Sequence, residues 1–240
     1  MKTYRAQGGP FVERPYYRAS EIETICSDEL RRVELYPSQP EAIRIERFIE
    51  KTFGVCPDYQ DLPRGVLGYT EFGPKGVEGI IVSRALEQEG TKPSERRINT
   101  TLAHEAGHGL LHAHLFVLAG GAGTVSLFGD DPDVAGPKIL CRNDGMSVVQ
   151  NNTKKRYAGR WWEFQANQAM SALILPQDLV LAALDAFLIE QGIFRTRVFE
   201  ERRRAEAISL LAEVFNVNPV VAEIRLSQVF PAGSDSQLTL

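Results

Sequence analysis

His104-Glu105-Ala106-Gly107-His108 sets two imidazoles four residues apart, with a carboxylate directly after the first. On a helix, residues four apart lie about one turn from each other on the same face, so both imidazoles can converge on one ion. The glutamate is offset around the helix, where it can take a proton from a water beside that ion. The chain has only four histidines, and chance would write H-E-x-x-H into such a chain about once in a few hundred. The pattern points to a catalytic divalent ion. Its plainer alternative is a pair of histidines hydrogen-bonded inside a core helix.

A tetrahedral catalytic zinc takes three protein ligands and keeps a fourth position for water. His112 lies four residues beyond His108, but a regular helix carries it ~12 Å along the axis from His104. It is therefore expected as a packing or substrate-side residue, and His114 points elsewhere again. The third ligand must then be a carboxylate or a cysteine. Glu163, in Trp161-Trp162-Glu163-Phe164-Gln165-Ala166-Asn167, is the best candidate, because a carboxylate among apolar residues is costly to bury unless a metal pairs it. Taken alone, such a glutamate is more often a solvated helix residue. Asn167, one turn later on the same face, can orient a ligand or a catalytic group. Tyr157, Arg160 and His112 are candidates to steady an oxyanion. The ligand set suits zinc, and manganese or cobalt as well.

These groups need two helices to position them. One is expected over 95–114, with Ser94 as its cap. Ile98, Leu102, Ala106 and Leu110 form a stripe, Leu111 and Leu115 fall on the histidine side, and a helix apolar over most of its circumference is a buried one. The other runs over 161–175 and is stopped by Pro176. Upstream, a helix starts at Ser38, with Pro40 in its first turn and Gly54 at its end. Apolar runs at 66–72 and 77–83, separated by Gly73-Pro74-Lys75-Gly76, read as a β-hairpin. Its edge, around Ile80, would suit pairing with an extended peptide. Residues 116–160 are Gly- and Asp-rich and irregular, with one strand-like run at 138–141. Helices follow over 177–191 and 198–215, and a last one runs from Pro219 to about Gln228. The class expected is α+β, mainly helical with a small antiparallel sheet.

At these residues the chain resembles the ImmA/IrrE family of zinc metallopeptidases. Thr101-Leu102-Ala103-His104-Glu105-Ala106-Gly107-His108-Gly109-Leu110-Leu111-His112 is similar to the family's active-site helix, trailing histidine included. Glu163-Phe164-Gln165-Ala166-Asn167, leading to Leu175-Pro176, resembles its E-x-x-A-N segment, and the family's third zinc ligand falls on Glu163. Leu211-Ala212-Glu213-Val214-Phe215-Asn216-Val217, followed by Arg225-Leu226, resembles the family's helix-turn-helix-like end. The resemblance spans about residues 40–230. It implies a zincin-like (gluzincin) core, an endopeptidase activity with Glu105 as general base, and a protein substrate such as a helix-turn-helix repressor of stress or mobile-element genes. On this reading residues 1–37 form an N-terminal extension, 38–192 the metallopeptidase domain with its irregular insertion at 116–160, and 193–240 a C-terminal helical region.

Composition narrows the alternatives. A hydrophobic fraction of 43%, a charged fraction of 24% and a net charge of −4 describe an ordinary globular chain with no general pull toward nucleic acid or an anionic membrane. The arginines at 202–204 are interleaved with glutamates and read as a solvated helix face; Lys154-Lys155-Arg156 is a second basic cluster. Three scattered cysteines, Cys26, Cys56 and Cys141, make no C-x-x-C pair. Residues 1–10 lack the apolar run of a signal peptide, so a cytoplasmic protein is expected. Two rival readings stand beside the peptidase. One is a DNA-binding regulator whose last helix reads a groove through Arg225 and Gln228. The other is a metal-binding sensor without catalysis, which would have no use for Glu105.

Overall fold

The helix that bears the histidine pair is longer than its apolar stripe predicts. The computed structural model describes residues 2–5, 13–120, 138–142, 161–191 and 196–231. Its helices are α1 (Ala19–Arg32), α2 (Ile45–Phe53), α3 (Arg84–Gln88), α4 (Lys92–Gly120), α5 (Trp161–Ile174), α6 (Gln177–Ala183), α7 (Arg204–Val214) and α8 (Pro219–Val229). The strands are β1 (Lys2–Arg5), β2 (Glu13–Tyr16), β3 (Asp58–Gln60), β4 (Val66–Gly73), β5 (Gly76–Ser83), β6 (Lys138–Arg142), β7 (Leu188–Gln191) and β8 (Thr196–Phe199). The class is α+β.

α4 begins earlier than Ser94 because Thr91 is its cap. The Ser94 amide donates to Thr91 Oγ1 at 3.2 Å and the Thr91 amide donates to Ser94 Oγ at 3.0 Å, so two otherwise free N–H groups are satisfied reciprocally. Its far end runs to Gly120, into the stretch expected to be irregular. Residues 101–109 are buried on every side, because α4 lies between the sheet and α5.

The expected hairpin forms, with β4 and β5 antiparallel around Pro74-Lys75. It is not the edge of its sheet. The strand order is β3-β5-β4-β6, with β3 parallel to β5 along Ile81, Val82 and Ser83, and β6 antiparallel to β4. The sheet is thus mixed rather than antiparallel. Two strands of three and five residues cap its sides, and strands that short leave little periodicity to read. Ile80 is fully buried.

Two glycines set how closely the layers approach. A Cβ on Gly107 would stand 3.0 Å from the Ala166 carbonyl oxygen and 3.0 Å from Ala169 Cβ, so α4 and α5 touch nearly backbone to backbone there. A Cβ on Gly68 would stand 2.7 Å from the Ile81 carbonyl oxygen and 2.8 Å from Thr101 Cγ2, which brings β4 against α4. Gly107→Val is expected to wedge the two helices apart, destabilising the fold by about 1–3 kcal/mol. A circular-dichroism melt reads this directly, and an unchanged Tm would contradict the close packing.

Other expectations need correction. The helix foreseen from Ser38 starts at Ile45, with Arg44 as its cap and Gly54 left-handed at its end (φ 73°). Pro37 and Pro40 hold the preceding residues out of the helix. Ile43 and Ile45 are both buried across one intervening residue, a period of two rather than 3.6. Residues 1–37, expected as an N-terminal extension, hold a 14-residue helix. Helix 177–191 stops at Ala183, and its second half pairs with residues 196–199, where 198–215 was to begin. Ile189 opposite Val198 and Leu188 opposite Phe199 are apolar cross-strand pairs that win over helix propensity.

One buried cluster joins Leu30 of α1, Phe48 of α2, Leu102 of α4, Leu173 of α5, Leu211 of α7 and Leu226 of α8. It therefore draws on 1–37 and 193–240 as well as on the middle of the chain. Arg96 of α4, itself buried, donates to the Ala212 carbonyl at 3.0 Å and pairs with Glu213 at 2.8 Å, docking α7 on the start of the histidine helix. Among the described residues, no single helix is long and apolar enough to cross a membrane.

Candidate metal centre

His104 and His108 stand a turn apart on α4, and α5 delivers Glu163 to the gap between them. The two Nε2 atoms are 3.1 Å apart; His104 Nε2 is 3.2 Å from Glu163 Oε2, and His108 Nε2 is 3.3 Å from Glu163 Oε1. Donors at two vertices of a tetrahedron with bonds of ~2.0–2.1 Å are separated by about 3.3 Å. The three side chains already have the spacing of ligands around one ion. Both imidazoles are fully buried and Glu163 nearly so. Among the described residues this is the one group of histidine, cysteine and carboxylate side chains close enough to hold a metal.

Glu105 lies on the adjoining face, against β4. The Thr70 hydroxyl donates to Glu105 Oε2 at 2.6 Å, while Oε1 is buried with no hydrogen-bond donor. Burial pushes the Glu105 carboxyl up to about 8, against the opposing pull of His104 and the Thr70 hydroxyl. Glu163 goes the other way: burial raises it, but the two imidazoles of His108 and His104 beside it outweigh burial and hold it well below the usual carboxylate range. Burial lowers His108 and, more strongly, His112, so both rings are held neutral. Neutral imidazole is the form that binds metal. Two buried carboxylate oxygens without donors, Glu105 Oε1 and Glu163 Oε1, meet at this one place. A cation and a water would satisfy them.

Behind the ligands stands a polar layer. Asn167 Oδ1 is 3.1 Å from His104 Nδ1, a contact through which it can orient that imidazole. His112, expected as a packing or substrate-side residue, takes the packing place. It is fully buried, its Nδ1 is 3.0 Å from His108 Nδ1 and its Nε2 is 3.1 Å from Gln165 Oε1, while Trp161 meets its ring edge to face. With both nitrogens engaged it cannot reach an oxyanion. Tyr157 and Arg160 lie outside the described residues, as does Lys154-Lys155-Arg156. Cys141 falls on β6, opposite Gly68 in the register, and Cys26 and Cys56 are free thiols. His114 is half-buried and apart from the cluster.

Two residues of the site were not foreseen. Thr70 carries no signal of its own, since a threonine in a strand is ordinary. Gln165 did leave one: in the apolar α5 it is a third buried polar residue beside Glu163 and Asn167, and buried amides are there to hydrogen-bond.

The groove-reading helix of the DNA-binding alternative loses its main side chain. α7 and α8 are bent 117° from one another. Arg225, however, is buried, donating to the Leu175 carbonyl at 2.8 Å and pairing with Glu23 at 2.5 Å. It anchors α8 to the core. The arginines at 202–204 pair with Glu200, Glu201 and Glu206, as a mixed-charge surface should.

What the fold and the site define is a buried two-histidine, one-glutamate group, able to hold a divalent ion, with a second glutamate beside it. Set against family models and against curated proteins, the chain matches none of them.

Proposed function

We propose that this chain is a zinc-dependent endopeptidase with a zincin-like core, hydrolysing a peptide bond in a protein substrate. The observation that carries the reading is the ligand triangle of 3.1, 3.2 and 3.3 Å with Glu105 one residue away. A divalent ion held by His104, His108 and Glu163 supplies Lewis acidity, making water acidic near neutral pH and polarising a carbonyl. Glu105 takes the proton of the attacking water and hands it to the leaving amine as the C–N bond breaks. Thr70 holds Oε2 of that carboxylate, which leaves Oε1 for the proton. Asn167 and His112 keep the two imidazoles turned with Nε2 inward. A structural metal site would close its fourth position and need no base, so Glu105 speaks against a sensor without catalysis. The ImmA/IrrE resemblance alone suggests a helix-turn-helix repressor as the substrate.

The test works whichever protein is the natural substrate. Purified protein is expected to carry one equivalent of zinc by elemental analysis. It should cleave members of a proteome-derived peptide library at defined bonds, detected by mass spectrometry. 1,10-Phenanthroline should stop the cleavage, and zinc, manganese or cobalt should restore it. Full zinc occupancy with no cleavage, either of the library or of a panel of helix-turn-helix repressors, would overturn the peptidase reading in favour of the sensor.

A further inference from the structure

A backbone carbonyl 150 residues away in sequence dictates the protons behind the centre. Gln165 Nε2 lies 2.8 Å from the Pro15 carbonyl oxygen. A carbonyl can only accept, so the amide nitrogen of Gln165 must face it and the amide oxygen must face the other way. That oxygen is 3.1 Å from His112 Nε2, which must then carry the ring's one proton. His112 Nδ1 is left bare. It stands 3.0 Å from His108 Nδ1, where two lone pairs would repel, so the His108 proton sits on Nδ1 and Nε2 is bare. That bare nitrogen is the one facing His104 and Glu163.

We propose that His112 and Gln165 are positioning residues: with the Pro15 carbonyl they form a one-way donor chain that fixes the His108 tautomer in its metal-binding form. The chain extends the centre to β2, in the first part of the sequence. Pro15, Gln165, His112 and His108 are all buried, so water offers no substitute partner along it. Trp161 against the His112 ring closes the side. The opposite imidazole, His104, reaches the same end by one direct contact with Asn167. This inference rests on the proposed metal site but on no assumption about hydrolysis.

The measurement is zinc affinity of the full-length metal-free protein, by competition with a chromophoric chelator, beside ¹⁵N spectra of the histidine rings. His112→Phe strands the His108 Nδ1 proton and is expected to weaken zinc binding about 10–100-fold. His112→Asn restores an acceptor where Nδ1 was and should recover most of that affinity. Gln165→Leu releases the His112 proton, so its ring should show mixed tautomers and zinc should bind about tenfold more weakly. Thermal melts of the metal-free variants separate a folding defect from a lost tautomer, since the Phe and Asn variants are compared at matched stability. The proposal is wrong if His112→Phe binds zinc as tightly as the wild type. It is equally wrong if Asn fails to rescue, or if the His108 proton is found on Nε2 in the metal-free wild type. A wild type that binds no divalent ion would instead sink the metal reading itself, and one that binds zinc but cuts nothing would leave the chain of donors intact.

Discussion

Glu105→Gln is expected to keep a full equivalent of zinc while hydrolysing substrate about 10²–10⁴-fold more slowly, the usual worth of a positioned general base. The substitution preserves shape, and a glutamine oxygen can still accept from the Thr70 hydroxyl, which reaches Oε2 at 2.6 Å. What is lost is the basicity of the second oxygen. The metal ligands are untouched, so occupancy and chelator competition should match the wild type. Stability should not fall either. Burial raises the Glu105 carboxyl to about 8, so near neutral pH the metal-free folded chain must take up a proton that the unfolded chain gives away. The neutral amide removes that requirement, and the metal-free variant should melt no lower than wild type. Elemental analysis, a melt and the rate on a library-identified peptide decide the matter together. A rate within threefold of wild type would remove Glu105 from the mechanism.

Glu163→Ala is expected to abolish tight metal binding. Two imidazoles a turn apart cannot enclose an ion from three sides. A lost ligand should exceed the 10–100-fold typical of a lost orienting partner, so affinity should fall by more than about 100-fold. Wild type should gain about 2.7 kcal/mol of stability at zinc 100 times its Kd, and the variant should show no zinc-dependent rise in Tm. Glu163→Gln, which keeps an oxygen donor without the charge, should fall between the two. If Glu163→Ala bound zinc as tightly as wild type, the third side of the site would belong to another residue and the geometry of α5 would have to be read differently.

How much of this was legible in the residues depends on the distance over which each feature is decided. The facing of His104 and His108 is a matter of helical period, set within one turn, and it reads directly from the spacing. The apolar all-round character of residues 98–111 likewise announces a buried helix, and 101–109 are buried. The 66–83 hairpin follows from two apolar runs and a Gly-Pro-Lys-Gly turn. By contrast, residues 188–191 and 198–199 fall inside expected helices, yet 188–191 and 196–199 are strands because each supplies the other's ladder. α1 has a stripe of Ile22, Cys26 and Leu30, yet only its partner α5 explains why that stripe is worth burying.

Residue order and helical period were enough to set the chemistry on offer: two imidazoles on one helical face, a carboxylate beside the first, and Glu163 with Asn167 one turn apart on a second helix. These are relations within single elements, and helix geometry fixes them without reference to the rest of the chain. That these elements meet is a matter of packing across the fold. Glu163 reaches the imidazoles because Gly107 lets α5 lie against α4. Thr70 reaches Glu105 because Gly68 lets β4 lie against the same helix from the other side. The proton on His108 answers to Pro15, in a strand whose place no local pattern reveals. Contacts of that kind arise from packing between segments far apart in sequence, where side-chain volume and the hydrogen-bonding needs of buried groups, rather than periodicity, select the partner.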